Sequence, residues 1–290
     1  AESLDALTSG NDNTACGYAA LSAVTTGANN VGIGRQAAAS VTTANSNTAV
    51  GFFALLNNTS ANNTAVGASS LQANTSGENL TAVGLGALTS NTTASGNTAV
   101  GFNAMALNTT GASNTALGAE ALDASTTGVS NVAVGKGALT ALTTAAYNTA
   151  IGTSTLQGIT TSSANTAVGY TALLNGNRAN NVAVGFEALR QGASGDSNVA
   201  VGYVALTTNT ADQNTAVGHN AMKFNTSGTQ NVAVGAFALD ANTTADDNTA
   251  VGHNCLTANT TGTGNTAVGR KAMDLTTTGG NNVAIGKEAL

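Results

Sequence analysis

Asn47-Thr48-Ala49-Val50-Gly51-Phe52-Phe53-Ala54-Leu55 is the stretch whose reading decides the fold, because a version of it recurs along all 290 residues. Anchored on its glycine, the motif occurs in seventeen copies from Gly17 to Gly286. The copies are 17 residues apart, except before Gly67, Gly185 and Gly218, where the step is 16. A fixed period of this length is the signature of a repeat architecture and takes precedence over local propensity.

Copies within one chain align with each other, so each column shows what its position tolerates. Four before the glycine stands Asn in sixteen copies, the exception being Leu80; two before it stands Ala in sixteen, the exception being Gly32. The residue before the glycine is Val, Ile or Leu except at Cys16. Three before it is Thr in eleven copies and Val in six. Three after it is nearly always Ala, and four after it is Leu or Met except at Ala38.

Asn-Thr-Ala-Val alternates as a short strand does, Gly51 turns or kinks it, and Ala54-Leu55 is expected to begin a second short extended piece. Clusters such as Asn108-Thr109-Thr110-Gly111 supply the return turn. No run reaches the roughly 12 residues that a stable helix needs. The expected fold is therefore all-β, a parallel β-solenoid or β-roll of seventeen rungs of about 17 residues, stacked at about 4.8 Å. Residues 1–10 read as an incomplete N-terminal rung, with Ala6-Leu7-Thr8-Ser9-Gly10 matched to Ala-Leu and its turn, and residues 11–290 as one continuous repeat domain. No terminal rung carries a polar cap of the kind solenoids use, so end-to-end stacking or membership of a longer fibre is expected.

The composition agrees with stacking. Charged residues make up 8% and aromatics 3%, Pro and Trp are absent, and the 42% hydrophobic content is largely alanine, so one repeat cannot build a core alone. Disorder, which low charge and few large hydrophobes suggest, has no use for Ala, Val and Leu held in register. A net charge of −6 and the lack of a basic run argue against nucleic acid as a partner. No apolar run of about 20 residues and no leader pattern is present, so no membrane insertion is expected.

Alternation places Thr48 and Val50 on one face and Ala49 and Gly51 on the other. Val50 and Leu55 are expected inside the coil, so that Val134→Asp should unfold it. The alanine face is expected to pack closely against a second wall of the same chain or, by preference, a neighbouring copy. The asparagines, among them Asn47, Asn63, Asn97, Asn131, Asn165 and Asn248, are expected to form a ladder in which each side-chain amide bonds its equivalents above and below. Cys16 and Cys255, fourteen rungs apart, are too distant for a disulfide within the chain and read as buried free thiols in core columns.

At this point the motif is recognisable: Asn281-Asn282-Val283-Ala284-Ile285-Gly286 resembles the Asn-x-Val-Ala-Ile-Gly repeat of trimeric autotransporter adhesin heads, and is similar to repeats in phage tail fibres. The resemblance covers residues 11–290. It implies a left-handed parallel β-roll, three chains around a common axis, and a head that binds host matrix or surfaces. The longer period and the frequent Thr three before the glycine set this chain apart from the adhesin repeat.

The most variable column follows the glycine directly, as an outward position would. There Phe52, Phe102, Tyr170, Phe186 and Tyr203 are candidate contacts for a host surface protein or glycan. His219 and His253 share the column two rungs apart, too far to hold one metal. No acidic residue recurs in a column as a calcium loop requires, and neither a catalytic triad nor a phosphate-cradling loop is legible. No enzyme activity, cofactor or metal is expected. Eight after the glycine, Thr recurs in fourteen of sixteen places, Thr25, Thr42, Thr92, Thr109, Thr126, Thr143, Thr243 and Thr260 among them. These observations point to a structural and adhesive segment of an extracellular fibre on a cell or virion, homo-oligomeric and by preference trimeric. A self-assembling end-to-end filament subunit and an ice-binding solenoid using the Thr array are the alternatives.

Overall fold

A computed structural model describes residues 2–191 and 195–290. It is an all-β parallel solenoid with no helix among the described residues. Contacts divide it into two compact units, Ala1–Tyr147 and Asn148–Leu290. The first holds β1 to β8: Thr14–Cys16, Val31–Ile33, Thr48–Val50, Thr64–Val66, Thr81–Val83, Thr98–Val100, Thr115–Leu117 and Val132–Val134. The second holds β9 to β17: Thr149–Ile151, Thr166–Val168, Val182–Val184, Val199–Val201, Thr215–Val217, Val232–Val234, Thr249–Val251, Thr266–Val268 and Val283–Ile285.

Within each unit every strand pairs in parallel with the next and each column meets itself, as in Thr48↔Thr64, Ala49↔Ala65 and Val50↔Val66. Register across a parallel pair is set by which residues can be buried together, and identical rungs satisfy that condition only when copy lies on copy. The glycine is obligatory for the same reason. Gly51 has φ 138°, and a Cβ there would lie 2.5 Å from the carbonyl oxygen of Gly67 in the next rung, closer than any side chain can approach.

The rest of the rung corrects one expectation. Ala54-Leu55 does not begin a second extended piece; the chain runs through consecutive turns, with Phe53 and Leu55 in the left-handed region at φ 59° and 52°. Left-handed leucine is sterically costly. The alternation of hand lets successive amides bond opposite neighbours: Phe53 N–H donates to Arg35 O one rung back (3.1 Å) and Leu55 N–H to Ser70 O one rung on (3.0 Å). These bonds offset the strain and bring both Ala54 and Leu55 into the interior, each with no exposed surface. Residues before Gly10 lie on the first full rung, with Leu4 N–H donating to Ala20 O. Leu4, rather than Leu7, thus takes the leucine position.

The inside and the outside are the reverse of the alternation argument. The Ala49 column is buried from Gly32 to Ala284, with only the end member Ala15 half-exposed, while Thr48 and Val50 are half-exposed. The interior is narrow because the buried Leu of each rung faces the alanine column. At Gly32 an added methyl would lie 2.8 Å from Leu21 Cγ, leaving no room for valine. Alanine regularity therefore records packing against a second wall of the same rung. Cys16, in the valine column, is exposed on the sheet face, whereas Cys255, in an alanine column, is buried.

The corrected assignment predicts that Ala133→Asp, which places a charge in this thin core, costs on the order of 3–5 kcal/mol, whereas Val134→Asp costs about 1 kcal/mol or less. Thermal denaturation of the two variants side by side checks this; equal losses would contradict it.

Candidate functional site

The asparagines four before each glycine are fully buried wherever two complete neighbours flank them. The Asn47 side-chain oxygen accepts from the backbone N–H of Asn63 (3.1 Å), and Asn47 N–H in turn donates to Asn30 Oδ1 (3.0 Å). Its amide nitrogen donates to Ser60 O at 3.0 Å and, more weakly, to Asn30 Oδ1 at 3.2 Å. The same geometry recurs at Asn97, Asn131, Asn165 and Asn248, whose Oδ1 or N–H meets the neighbouring asparagine of the column at 2.8–3.0 Å, while Asn63 Oδ1 accepts from the backbone N–H of Leu80, the one non-asparagine in the column, at 3.0 Å. The column is therefore a ladder of side-chain oxygen to backbone amide, with the Nδ2 groups tying each strand to the turn of the following rung.

A second ladder went unread in the sequence. Seven after the glycine, the buried residues Asn58, Asn74, Asn91 and Asn108 hand amide to carbonyl from rung to rung at 2.7–2.9 Å. Asn209, Asn225 and Asn242 repeat this at 2.6 Å per step. The signal was there, since Asn fills this column in eight copies, but Asn beside Thr-Thr-Gly is also ordinary turn chemistry. In the first unit this ladder stops at Ser125, and the Asn108 Oδ1 and Ser125 Oγ atoms are buried without a partner.

The outward surface is built of ranks. The residue before each glycine gives a Val/Ile/Leu rank, with Ile33 40% and Leu117 48% exposed. It is flanked by the Thr/Val rank three before the glycine, and neither rank contains a charged residue. On the other side runs the variable column. The structure brings Tyr170, Phe186 and Tyr203 into one stack with ring centroids 5.5 and 5.3 Å apart and planes within 16°. His219 extends it at 5.1 Å, and Phe237, from the next column, stands between His219 and His253 at 5.1 and 6.2 Å. The rings spend their faces on each other and present edges outward. Phe52 packs on Phe53 (3.8 Å) with the Arg35 guanidinium 5.8 Å away, and Phe102 is exposed without a ring neighbour among the described residues.

The threonine rank eight after the glycine is pinned. Thr8, Thr25, Thr59, Thr75, Thr92, Thr109 and Thr126 each donate Oγ1–H to the backbone carbonyl of the equivalent residue one rung on, at 2.9–3.4 Å. Among the described residues no group of three or more His, Cys, Asp or Glu is placed to hold a metal, and no helix is long and apolar enough to cross a membrane. Burial pushes the Asp123 carboxyl above its ordinary value, with Glu120 adding to the shift.

Compared with protein-family models, curated proteins and solved structures, the chain finds no match.

Two outcomes follow from this geometry. Ser125→Asn continues the second ladder, giving Asn108 Oδ1 its missing donor, and raises stability by about 1 kcal/mol, readable as a higher denaturation midpoint; Asn91→Ala lowers it by about 2 kcal/mol, having stranded its neighbours. Burial also raises the Cys255 thiol from 9.0 to about 11. Below pH 9 the thiol is neutral in folded and unfolded chains alike. Between pH 9 and about 11 only the unfolded chain ionises, so stability falls across that window, and a thiol reagent at pH 8 labels Cys16 alone in the folded protein. Labelling of both cysteines at equal rate would contradict the placement.

Proposed function

We propose that the chain is a structural and adhesive segment of an extracellular fibre on a cell or virion, assembled from several copies that meet through the outward sheet face. The observation that carries this reading is the rank of half-exposed Val, Ile and Leu bordered by a second uncharged rank. Soluble monomers rarely leave a contiguous apolar strip of this kind open to water. A repeated strip is self-complementary at every rung, so one favourable contact is multiplied along the unit. With no charge in either rank, like copies meet without repulsion. Three copies around an axis is the number implied by the resemblance to adhesin heads. The alanine face, first assigned to this contact, lies inside the coil and is not available for it.

The variable column borders the proposed contact and supplies the adhesive surface. Its exposed edges of Tyr170, Phe186 and Tyr203 suit a protein surface or a glycan approached through hydroxyl and C–H edges. Stacking of a sugar on ring faces is disfavoured, because those faces are already covered.

Light scattering over a dilution series tests the assembly. The expected mass is three times the 28.0 kDa of the chain, and the double variant Val184→Lys, Val201→Lys falls to a single-chain mass with its β-type circular dichroism retained. A parent that stays at single-chain mass throughout would overturn the reading.

A further inference from the structure

We propose that the threonine edge of the first unit is an ice-binding surface, a function separate from the sheet face used for assembly. Eight after the glycine, Thr stands in every rung of this unit, and Thr8 extends the rank onto the partial rung. The hydroxyl bond to the next carbonyl explains why a hydroxyl is needed. It does not explain why the residue is never serine, which would make the same bond. Where it forms, at Thr8, Thr25, Thr59, Thr75, Thr92, Thr109 and Thr126, the bond fixes the side-chain rotamer and with it the direction of a methyl at least partly exposed to solvent.

The adjacent rank, nine after the glycine, is Ser or Thr in each of these rungs, and Thr26, Thr43, Thr93, Thr110 and Thr127 are exposed. The rungs of Thr92, Thr109 and Thr126 thus each offer one immobilised methyl beside one exposed threonine. The step between rungs is about 4.8 Å, close to the spacing of water oxygens along a face of ice. Neither rank holds a charged side chain in the first unit, so no strongly hydrated group disturbs the water over it. An array already rigid loses little freedom on binding a solid surface, and methyl groups flanked by hydroxyls order a first water layer that can merge with a lattice. In the second unit the same edge is interrupted by Asn177 and Arg178, which confines the proposal to the first.

The test is ice-crystal growth watched in the full chain by nanolitre osmometry, with thermal hysteresis as the readout. The parent is expected to facet crystals and show hysteresis. The triple variant Thr92→Ser, Thr109→Ser, Thr126→Ser keeps every inter-rung bond and its melting temperature, and is expected to lose hysteresis several-fold. Thr109→Lys, which puts a charge in the middle of the rank, should do the same. A parent without effect on ice growth, or serine and lysine variants as active as the parent, would overturn the proposal and leave the rank a stabilising device only.

Discussion

A buried asparagine is satisfied here by groups of the adjoining rungs, most often its own copy one rung away. Asn47 Oδ1 takes the backbone N–H of Asn63, and Asn47 passes its own N–H back to Asn30. An unmet buried amide costs about 1–3 kcal/mol, so a slip of a single residue would strand the polar groups of every rung at once. That penalty holds the strands in register without the help of a large core. The glycine, which lets one backbone approach the next, and the alanines, which leave space for one leucine per rung, follow from the same close repetition. The strained left-handed residues at Phe53 and Leu55 are tolerated because the inter-rung hydrogen bonds they permit are repeated along each unit.

Much of this was legible because the repeats align themselves. The period, the parallel strands and the importance of Asn47 and Gly51 could be read from columns with no structure in hand. The facing of the sheet could not. Alternation separates inside from outside only when one face is polar, and here Ala49 and Val50 are both apolar. Ranking them by size put valine inside. The deciding quantity is the width of the coil, set by how the turn from Phe53 to Leu55 throws the leucine inward, and a leucine at positive φ is a conformation that propensity argues against. Asn58 and its equivalents were hidden for a different reason: the same residues that make an interior ladder also make ordinary turns.

The candidate surface was legible in part. The variable column was readable as outward, and its aromatic members were named. That Tyr170, Phe186 and Tyr203 form one stack continued by His219 depends on ring orientation, which no column statistic carries. The valine rank is a surface that apolar character alone assigns to the core. With the facing corrected, the rungs present an apolar sheet face, an aromatic column beside it, and a hydroxyl edge.

The most direct check of the account is side-chain amide hydrogen exchange, followed by NMR on protein labelled with nitrogen-15 at asparagine. The Nδ2 protons of Asn47, Asn63 and Asn97, and those of Asn74, Asn91 and Asn108, should exchange orders of magnitude more slowly than those of the exposed Asn62 and Asn79. Exchange of both sets at one common rate would mean that the ladders do not exist, and with them the register on which the fold rests.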